Sequence, residues 1–465
     1  MPRTFMPVAA AIAGVLVLTG LARLGAQADP EVEHFHYGSV GIEENEGMPY
    51  WIWRVLPDLF PDLLPGPGGY ASLGLVYEDG RDLPVGFSSR DLFGGPRVAI
   101  NCAICHTGTY RRRATEAPVL VPGAPSTRVD VQGYARFLGA AAQDERFAAG
   151  PILEAIAASG GDLSWFSRLT YRLLLIPGTR RALRARAEES AWMDERPDWG
   201  RGRIDPFNPV KFQVLDVPLD DTIGNSDMMP IWNLRGRDGT ALHWDGLNTS
   251  LRDVLLSSAI GDGASRKTVD IESLERIERW LLDLRPPDYP FPIDPDAAAR
   301  GQEVFAEHCA TCHAADGART WTVIPQSEVG TDRHRLDMWT QQSADIYNAF
   351  ADGYPWDFTA FRKTDGYVAG DLTGLWVTAP YLHNGSVPSL LELFEPPAGR
   401  TTVFFRGYDV YDPERVGFVS SGPEAEQAGF RYDTAQAGNG NAGHLYGTTL
   451  PAGDRAALVE YLKTK

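Results

Sequence analysis

Three segments of the chain carry apolar residues at the spacing of a helix face. Within residues 271–284, every third or fourth position is apolar and charged residues fill the gaps, which predicts an amphipathic helix. A second helix is predicted over residues 297–308, where Gly301 and Phe305 would let another helix cross closely. A third helix is predicted after Pro451, and it closes the chain. Irregular loops are expected before the first and the third of these helices.

The first 28 residues have the pattern of an export signal. Arg3 gives a positively charged N-terminal region, and residues 8–18 are almost wholly apolar. Ala26-Gln27-Ala28 then has the small-x-small pattern of a signal-peptide cleavage site. An uncleaved membrane anchor is the alternative, because the apolar stretch approaches the length that spans a bilayer. Both interpretations place the body of the protein outside the cytoplasm, either in the periplasm or secreted. No other stretch of the sequence is long and apolar enough to predict a membrane span.

Composition and charge narrow the class of protein. The 465 residues are enough for two or three domains, and 43% hydrophobic content permits ordinary cores. The 34 prolines and 48 glycines favour a loop-rich protein. A net charge of −18 argues against nucleic acid and against anionic lipid surfaces as partners. A basic protein partner or a small neutral substrate stays compatible with this charge.

All four cysteines lie in two copies of one short pattern, Cys102-Ala103-Ile104-Cys105-His106 and Cys309-Ala310-Thr311-Cys312-His313. Cys-x-x-Cys-His is typical of covalent c-type haem attachment, in which two thiols bind the haem and the histidine binds the iron. Half a zinc site would need further cysteines or histidines at matched spacing, and a redox dithiol does not need the following histidine. We therefore predict two covalently bound haem c groups and no structural disulfide.

The two motifs are 207 residues apart (309 minus 102), too far for one small cytochrome domain. A proline-dense stretch over residues 285–292 between them predicts a domain linker. We predict a mainly α, loop-rich fold of two cytochrome c-like haem domains related by internal duplication, with an N-terminal extension and long insertions. The predicted segments are a signal peptide (1–28), the N-terminal extension (29–95), the first c-type haem domain (96–285), the linker (286–296) and the second c-type haem domain (297–465).

The residue on the far side of each haem decides between an electron carrier and a catalyst, because an open side permits oxygen or peroxide chemistry. His106 and His313 are expected to bind the near side of the first and second iron. His444, in a glycine-rich loop before the closing helix, is the best candidate for the far side of the second. His383 in that role, or a surface position for His444, are the alternatives. Only His243 lies between His106 and the linker, and no methionine lies near the first closing helix. The first haem is therefore predicted to have an open or weakly occupied far side.

Further motifs resemble the bacterial dihaem cytochrome c peroxidase superfamily, and most of all its rubber-oxygenase-like branch. The matching segments are Asp205-Pro206-Phe207-Asn208-Pro209, Leu242-His243-Trp244-Asp245-Gly246, the stretch TAPYLHNGSVPSL at residues 378–390, and Gly443-His444 before the last helix. The resemblance spans roughly residues 36–465, and the segment around His383 is its most specific part.

The resemblance implies roles for individual residues. His106 would be the proximal ligand of the active haem, whereas His313 and His444 would bind a six-coordinate haem that stores electrons. Trp244 would relay electrons between the two haems, although without the resemblance a buried core role would be expected for it. A calcium ion between the domains is also implied. Residues 216–221 are a candidate for its ligands, with a solvated acidic cluster as the alternative.

The sequence also departs from the superfamily at the active haem. Rubber oxygenases carry a phenylalanine there, where this chain reads Leu255-Leu256-Ser257-Ser258-Ala259-Ile260, apolar but without a ring. The peroxidases move protons with a histidine and a glutamate, and His243 is the only histidine available for this. An apolar pocket favours oxygen over peroxide and accepts an apolar substrate.

We therefore expect an exported, haem-dependent oxidoreductase, oxygenase-like or peroxidase-like. It would act with an external redox partner or on a small organic or lipid substrate. The alternatives are an electron-transfer cytochrome without its own substrate and a redox sensor.

Overall fold

The computed structural model describes residues 29–356 and 358–465. The predicted signal peptide, residues 1–28, lies outside the described residues. Within the described ranges, no helix combines the length and apolar character needed to cross a membrane.

The described residues form short helices joined by long loops, which confirms the mainly α, loop-rich fold. The helices before the linker are α1 (Pro30–Tyr37), α2 (Tyr50–Leu59), α3 (Ala103–His106), α4 (Val131–Gln143), α5 (Ala149–Ala158), α6 (Trp165–Thr170), α7 (Ile176–Glu189), α8 (Leu251–Gly261) and α9 (Ile271–Asp283). Short 3₁₀ turns lie at Pro61–Leu63, Gly69–Leu73 and Ala191–Glu195, and π-helical turns at Tyr171–Leu175 and Val210–Val214.

The second half of the chain also consists of short helices joined by loops. Its helices are α10 (Pro295–His308), α11 (Ala310–His313), α12 (Gln326–Val329), α13 (His334–Met338), α14 (Gln341–Phe350), α15 (Leu390–Leu393), α16 (Pro423–Ala428) and α17 (Ala452–Leu462), with 3₁₀ turns at Leu375–Val377 and Pro397–Gly399. Helix α10 begins at Pro295, two residues inside the predicted linker range.

The strands are short and all pair antiparallel. A three-stranded sheet has the order β1 (Met48–Pro49), β3 (Gly95–Ile100), β2 (Phe87–Leu92). The remaining strands form the pairs β4 (Thr107–Tyr110) with β5 (Val119–Pro122), β6 (Arg203–Ile204) with β7 (Ser226–Asp227), β8 (Val323–Pro325) with β9 (Gly366–Val368), β10 (Val403–Arg406) with β13 (Phe430–Asp433), and β11 (Tyr411–Asp412) with β12 (Gly417–Phe418).

The helix predicted over residues 271–284 is confirmed as α9. Asp270 caps its start through a side-chain oxygen that accepts from the Ser273 N–H, and the predicted apolar positions face inward. Helix α1 packs against α9, with the Phe35 and Trp280 ring centroids 4.8 Å apart. The predicted N-terminal extension thus shares a core with the first closing helix.

The close helix crossing predicted at Gly301 and Phe305 is also confirmed. A side chain at Gly301 would place its Cβ 1.9 Å from the Ala457 carbonyl oxygen of α17, so only glycine allows this contact. One turn further on, the Phe305 and Tyr461 ring centroids lie 5.2 Å apart. Helices α10 and α17 therefore pack backbone to backbone at Gly301, whereas α1 and α9 meet through aromatic side chains.

One turn geometry occurs once in each half. Residues 242 and 248 form an antiparallel bridge, as do residues 381 and 387. The second residue of each turn has a positive φ, and so does the glycine three residues later: His243 (62°) with Gly246 (68°), and Leu382 (69°) with Gly385 (66°). A serine then caps the following helix in each half, Ser250 for α8 and Ser389 for α15. The match between the two turns is consistent with an internal duplication, which remains a prediction.

Buried ion pairs join the two halves. The fully buried Asp409 carboxylate accepts hydrogen bonds from Thr109, Arg111 and Arg128. Asp227 pairs with Arg406, and Asp245 lies 3.3 Å from Arg335. Because such charges are costly to bury alone, each pair ties the halves into one arrangement.

Candidate haem sites

The first Cys-x-x-Cys-His motif forms a single helical turn. Cys102 precedes α3 and His106 ends it, so both thiols and the imidazole lie on one short element. The Nδ1 atom of His106 lies 2.9 Å from the Met229 carbonyl oxygen. Because a carbonyl only accepts, Nδ1 carries the proton and Nε2 is left to bind a metal. Burial lowers the pKa of His106 to about 4 and keeps the imidazole neutral, as metal binding requires.

The second motif repeats this arrangement. Cys309 joins α10 to the single turn of α11, which ends at His313. His313 Nδ1 donates to the Gly370 carbonyl oxygen at 2.7 Å, which again leaves Nε2 available. Burial lowers the pKa of His313 as well. Both predicted proximal histidines are thus oriented by a backbone carbonyl from a distant loop.

The thiols suit covalent attachment to a haem. All four cysteines are free and partly buried, and none forms a disulfide. Burial raises the pKa of Cys102 to about 12 and that of Cys309 to about 11, so neither is a reactive thiolate. The residues present therefore fit a haem c at each motif.

His444 faces His313 across a gap of the right size for a shared metal. The two ring centroids are 6.3 Å apart with 49° between the ring planes. Two imidazoles that bind one metal from opposite sides, with metal–nitrogen distances of about 2.0 Å, have centroids about 6 Å apart. The His444 N–H donates to the Val329 carbonyl, and Arg400 donates to the carbonyls of the loop that carries it. Burial is the largest of the effects that lower the pKa of His444 to about 3.

His383 occupies a different environment. Its ring stacks on Tyr367 with centroids 3.9 Å apart and 17° between the planes. The Asp227 N–H donates to its carbonyl oxygen, which ties it to the interface between the halves. The geometry therefore favours His444 over His383 as the partner of His313.

His243 is half-buried near His106. Its Nε2 has no hydrogen-bond partner in the described part of the chain, and its ring packs edge-on against Phe207. Burial, with smaller contributions from the charges of Arg335 and His106, lowers the pKa of His243 to about 4. Its positive φ is shared by Leu382 in the repeated turn, so this conformation belongs to the fold and not to histidine chemistry.

The apolar segment predicted near the first haem is the buried face of α8. Leu255, Leu256, Ala259 and Ile260 are buried there, and Cys102 packs against the same cluster. Aromatic rings reach this cluster from residues that sequence reasoning did not connect with it: Phe207, Trp339, Tyr347, Phe358 and Phe361. No local signal could have found them, because most lie about 100 residues further along the chain.

Sequence reasoning also missed Asp262, which caps the C-terminal end of α8. Its charge raises the pKa of both Cys102 and Cys105 through space, so the carboxyl lies in the neighbourhood of the first motif. Burial raises the pKa of Asp262 to about 7, which makes it a candidate proton donor or acceptor near neutral pH. A lone aspartate after a helix carries no sequence signal of this kind.

Trp244 joins the loops that orient the two proximal histidines. Its indole Nε1–H donates to the Asp227 carbonyl at 2.8 Å, two residues before Met229. Its own carbonyl accepts from the Val368 N–H at 2.8 Å, two residues before Gly370. One tryptophan therefore lies between the carbonyl that holds His106 and the carbonyl that holds His313.

Trp232 makes a second, separate connection between the same loops. It follows Met229 by three residues, and its buried indole Nε1–H donates to the Thr373 carbonyl at 2.9 Å. Thr373 in turn follows Gly370 by three residues. Nothing in the sequence distinguished Trp232 from the other eleven tryptophans.

The acidic segment at residues 216–221 offers no assembled calcium site. Asp220 lies 2.6 Å from Lys211 Nζ and accepts from Thr222. In the two described ranges, no group of three or more His, Cys, Asp or Glu side chains is placed to hold an ion. Calcium remains a prediction from the resemblance.

Comparison with known proteins places this chain among haem proteins. A family model described as RoxA-like, cytochrome c-like matches residues 366–405, and a cytochrome c model matches residues 298–355. The uncharacterized protein y4iJ of Sinorhizobium fredii is 25% identical over 90% of this chain and 88% of its own length. The uncharacterized protein y4iM of the same organism is 28% identical over 54% of this chain and 66% of its own.

A solved structure of hydrazine synthase from Kuenenia stuttgartiensis is also similar. It is 14% identical, covers 53% of this chain and 75% of its own, and has a TM-score of 0.27. A likeness this weak supports no inference.

The cytochrome c match and the two attachment motifs define a c-type cytochrome that binds haem c covalently. Within this class, residues 366–405 match the RoxA-like, cytochrome c-like model, which confirms the resemblance read from the sequence. Its chemistry is that of a haem-based oxidoreductase or electron-transfer protein.

Proposed function

We propose that the chain is an exported dihaem oxidoreductase whose two haem sites have different roles. Cys102, Cys105 and His106 would hold a first haem that is open on one side. Cys309, Cys312, His313 and His444 would hold a second, six-coordinate haem. The proposal rests chiefly on one asymmetry: His444 faces His313 at 6.3 Å, whereas His106 has no such paired imidazole in the described part of the chain.

Haem c supplies one-electron redox chemistry, and an open axial position adds binding of oxygen or peroxide. Around the first site, the face of α8 and the aromatic rings beside it exclude water and would accept an apolar organic or lipid substrate. The Asp262 carboxyl can hold or release a proton at that site near neutral pH. Trp244 and Trp232 provide two hydrogen-bonded connections along which electrons would pass between the sites.

A second candidate function is electron transfer alone, with both haems six-coordinate. One observation favours it: His243 Nε2 is buried near His106 and lacks a hydrogen-bond partner among the described residues. An imidazole bound to the iron opposite His106 would close the far side of the first haem. External proteins, and no substrate, would then be the partners.

Electron paramagnetic resonance of the oxidised holoprotein separates the two candidates. One high-spin and one low-spin haem signal are expected, because the first haem would lack a sixth protein ligand. Two low-spin signals, with one becoming high-spin in the His243→Ala variant, would establish the electron carrier. A covalent mass increase of fewer than two haems would contradict both.

A further inference from the structure

A group of large apolar side chains lies exposed at one end of the first half. The ridge consists of Phe93, Trp165, Phe166, Leu169, Leu173 and Leu174. Phe93 and Trp165 each expose 77% of their surface. Phe93 and Phe166 line one shared cleft, so the ridge is continuous between the β2–β3 hairpin and the helices. Contiguous exposed patches of this kind mark interaction surfaces.

The backbone holds these side chains outward. Helix α6, the π-helical turn at Tyr171–Leu175 and helix α7 follow one another without a break. Tyr171 and Leu175 are buried at the start and end of that turn, which leaves Leu173 and Leu174 pointing to solvent. The ridge is also separate from the first haem motif, because the β3 strand between Gly95 and Ile100 spans about 17 Å.

The charge of the same segment is opposite to that of the protein. Residues 163–187 contain six arginines and no acidic residue, in a chain of net charge −18. Arg168, Arg172, Arg181 and Arg184 are exposed and form no ion pair within the described residues. Because salt screens charges beyond about 8–10 Å, a partner at this surface responds to the arginines and not to the net charge.

We propose that the ridge and its four exposed arginines attach the protein to an anionic lipid bilayer. Tryptophan, phenylalanine and leucine would enter the headgroup boundary while the arginines bind lipid phosphates, which is how interfacial helices bind without crossing the membrane. A second copy of the chain fits less well, since a symmetric contact would bring the arginines of both copies together. The attachment is independent of the haem chemistry proposed above.

Vesicle sedimentation of the purified, cell-processed holoprotein tests this proposal. Binding is expected to vesicles of phosphatidylcholine with phosphatidylglycerol, and not to phosphatidylcholine alone. The Arg172→Gln/Arg181→Gln and Trp165→Ser/Phe166→Ser variants should each bind about tenfold or more weakly. Leu219→Ser is the matched control: Leu219 is 65% exposed but lies outside the ridge, so binding should not change.

The variants alter exposed side chains, so their haem absorption and melting temperature should equal those of the parent protein. Three results would overturn the proposal. The first is no binding to the anionic vesicles. The second is binding that neither salt nor the ridge variants weaken. The third is a dimer in solution that the ridge variants dissociate, which would assign the surface to a second copy.

Discussion

At the scale of single residues, the two haem motifs hold their proximal histidines in the same way. They differ in whether a second imidazole faces the proximal histidine. A backbone carbonyl orients His106 and another orients His313, at 2.9 and 2.7 Å. Among the described residues, only His313 has a partner imidazole at the separation expected of a shared metal, and that partner is His444. This difference of one side chain is the basis for the proposal that one site stores electrons and the other is open to a small molecule.

Replacement of His444 by alanine is expected to convert the low-spin haem to high-spin, because no other imidazole faces His313 among the described residues. Electron paramagnetic resonance and the Soret band of the oxidised holoprotein measure this change. His383→Ala is the control, since His383 stacks on Tyr367 and should leave the low-spin signal intact. The opposite pattern, loss of the signal only in the His383 variant, would make His383 the ligand.

At the scale of secondary structure elements, the second haem motif depends on a crossing of two helices. Helix α10 leads directly into the attachment turn, and its position is set where Gly301 meets the backbone of α17. The apolar faces of both helices were visible in the sequence. The contact distance depends on Gly301, where the sequence already predicted a close crossing, but the structure shows that the crossing partner is α17.

The Gly301→Ala substitution is expected to lower the free energy of unfolding by about 1–3 kcal/mol, because the added Cβ collides with the Ala457 carbonyl and forces the helices apart. Denaturant unfolding of the holoprotein measures the loss. Gly453→Ala in α17 is the matched control: its Cβ meets no atom within 4 Å, so stability should stay equal or rise by up to about 1 kcal/mol. Equal effects at both positions would show that the crossing does not require a glycine.

At the scale of the whole molecule, the two halves share cores, ion pairs and two tryptophan bridges. One core cluster combines the face of α8 with aromatic rings from residues 339–361. Asp409 from the second half is buried against three donors of the first. The loops that hold the proximal histidines are thereby fixed relative to each other, as a relay between two redox centres requires.

The Trp244→Phe and Trp232→Phe variants are each expected to slow electron exchange between the haems several-fold, and the double variant more, because each loses an N–H that joins the two loops. Flash reduction of the holoprotein measures the rate, and potentiometry shows whether the haem potentials have moved. Trp376→Phe is the control, because its indole donates to the Pro287 carbonyl at 3.0 Å, off both connections. A Trp376 variant as slow as the others would assign the effect to packing alone.

Features that depend on neighbouring residues could be predicted from the sequence alone. Two thiols and an imidazole within five positions form an attachment motif in any fold, and periodic apolar residues predicted α9, α10 and α17 close to their observed bounds. The resemblance to the rubber-oxygenase-like branch was carried by short motifs and was confirmed by the family match.

Which distant side chains meet is a property of the folded molecule. The tertiary structure brought His444 opposite His313, Asp262 into the neighbourhood of Cys102 and Cys105, and Trp232 between the histidine-bearing loops. It also showed that six apolar side chains remain exposed beside arginines that lack ion-pair partners in the described ranges. Long loops close these contacts, and burial is a property of the packed molecule, so neither residue spacing nor net charge contains this information.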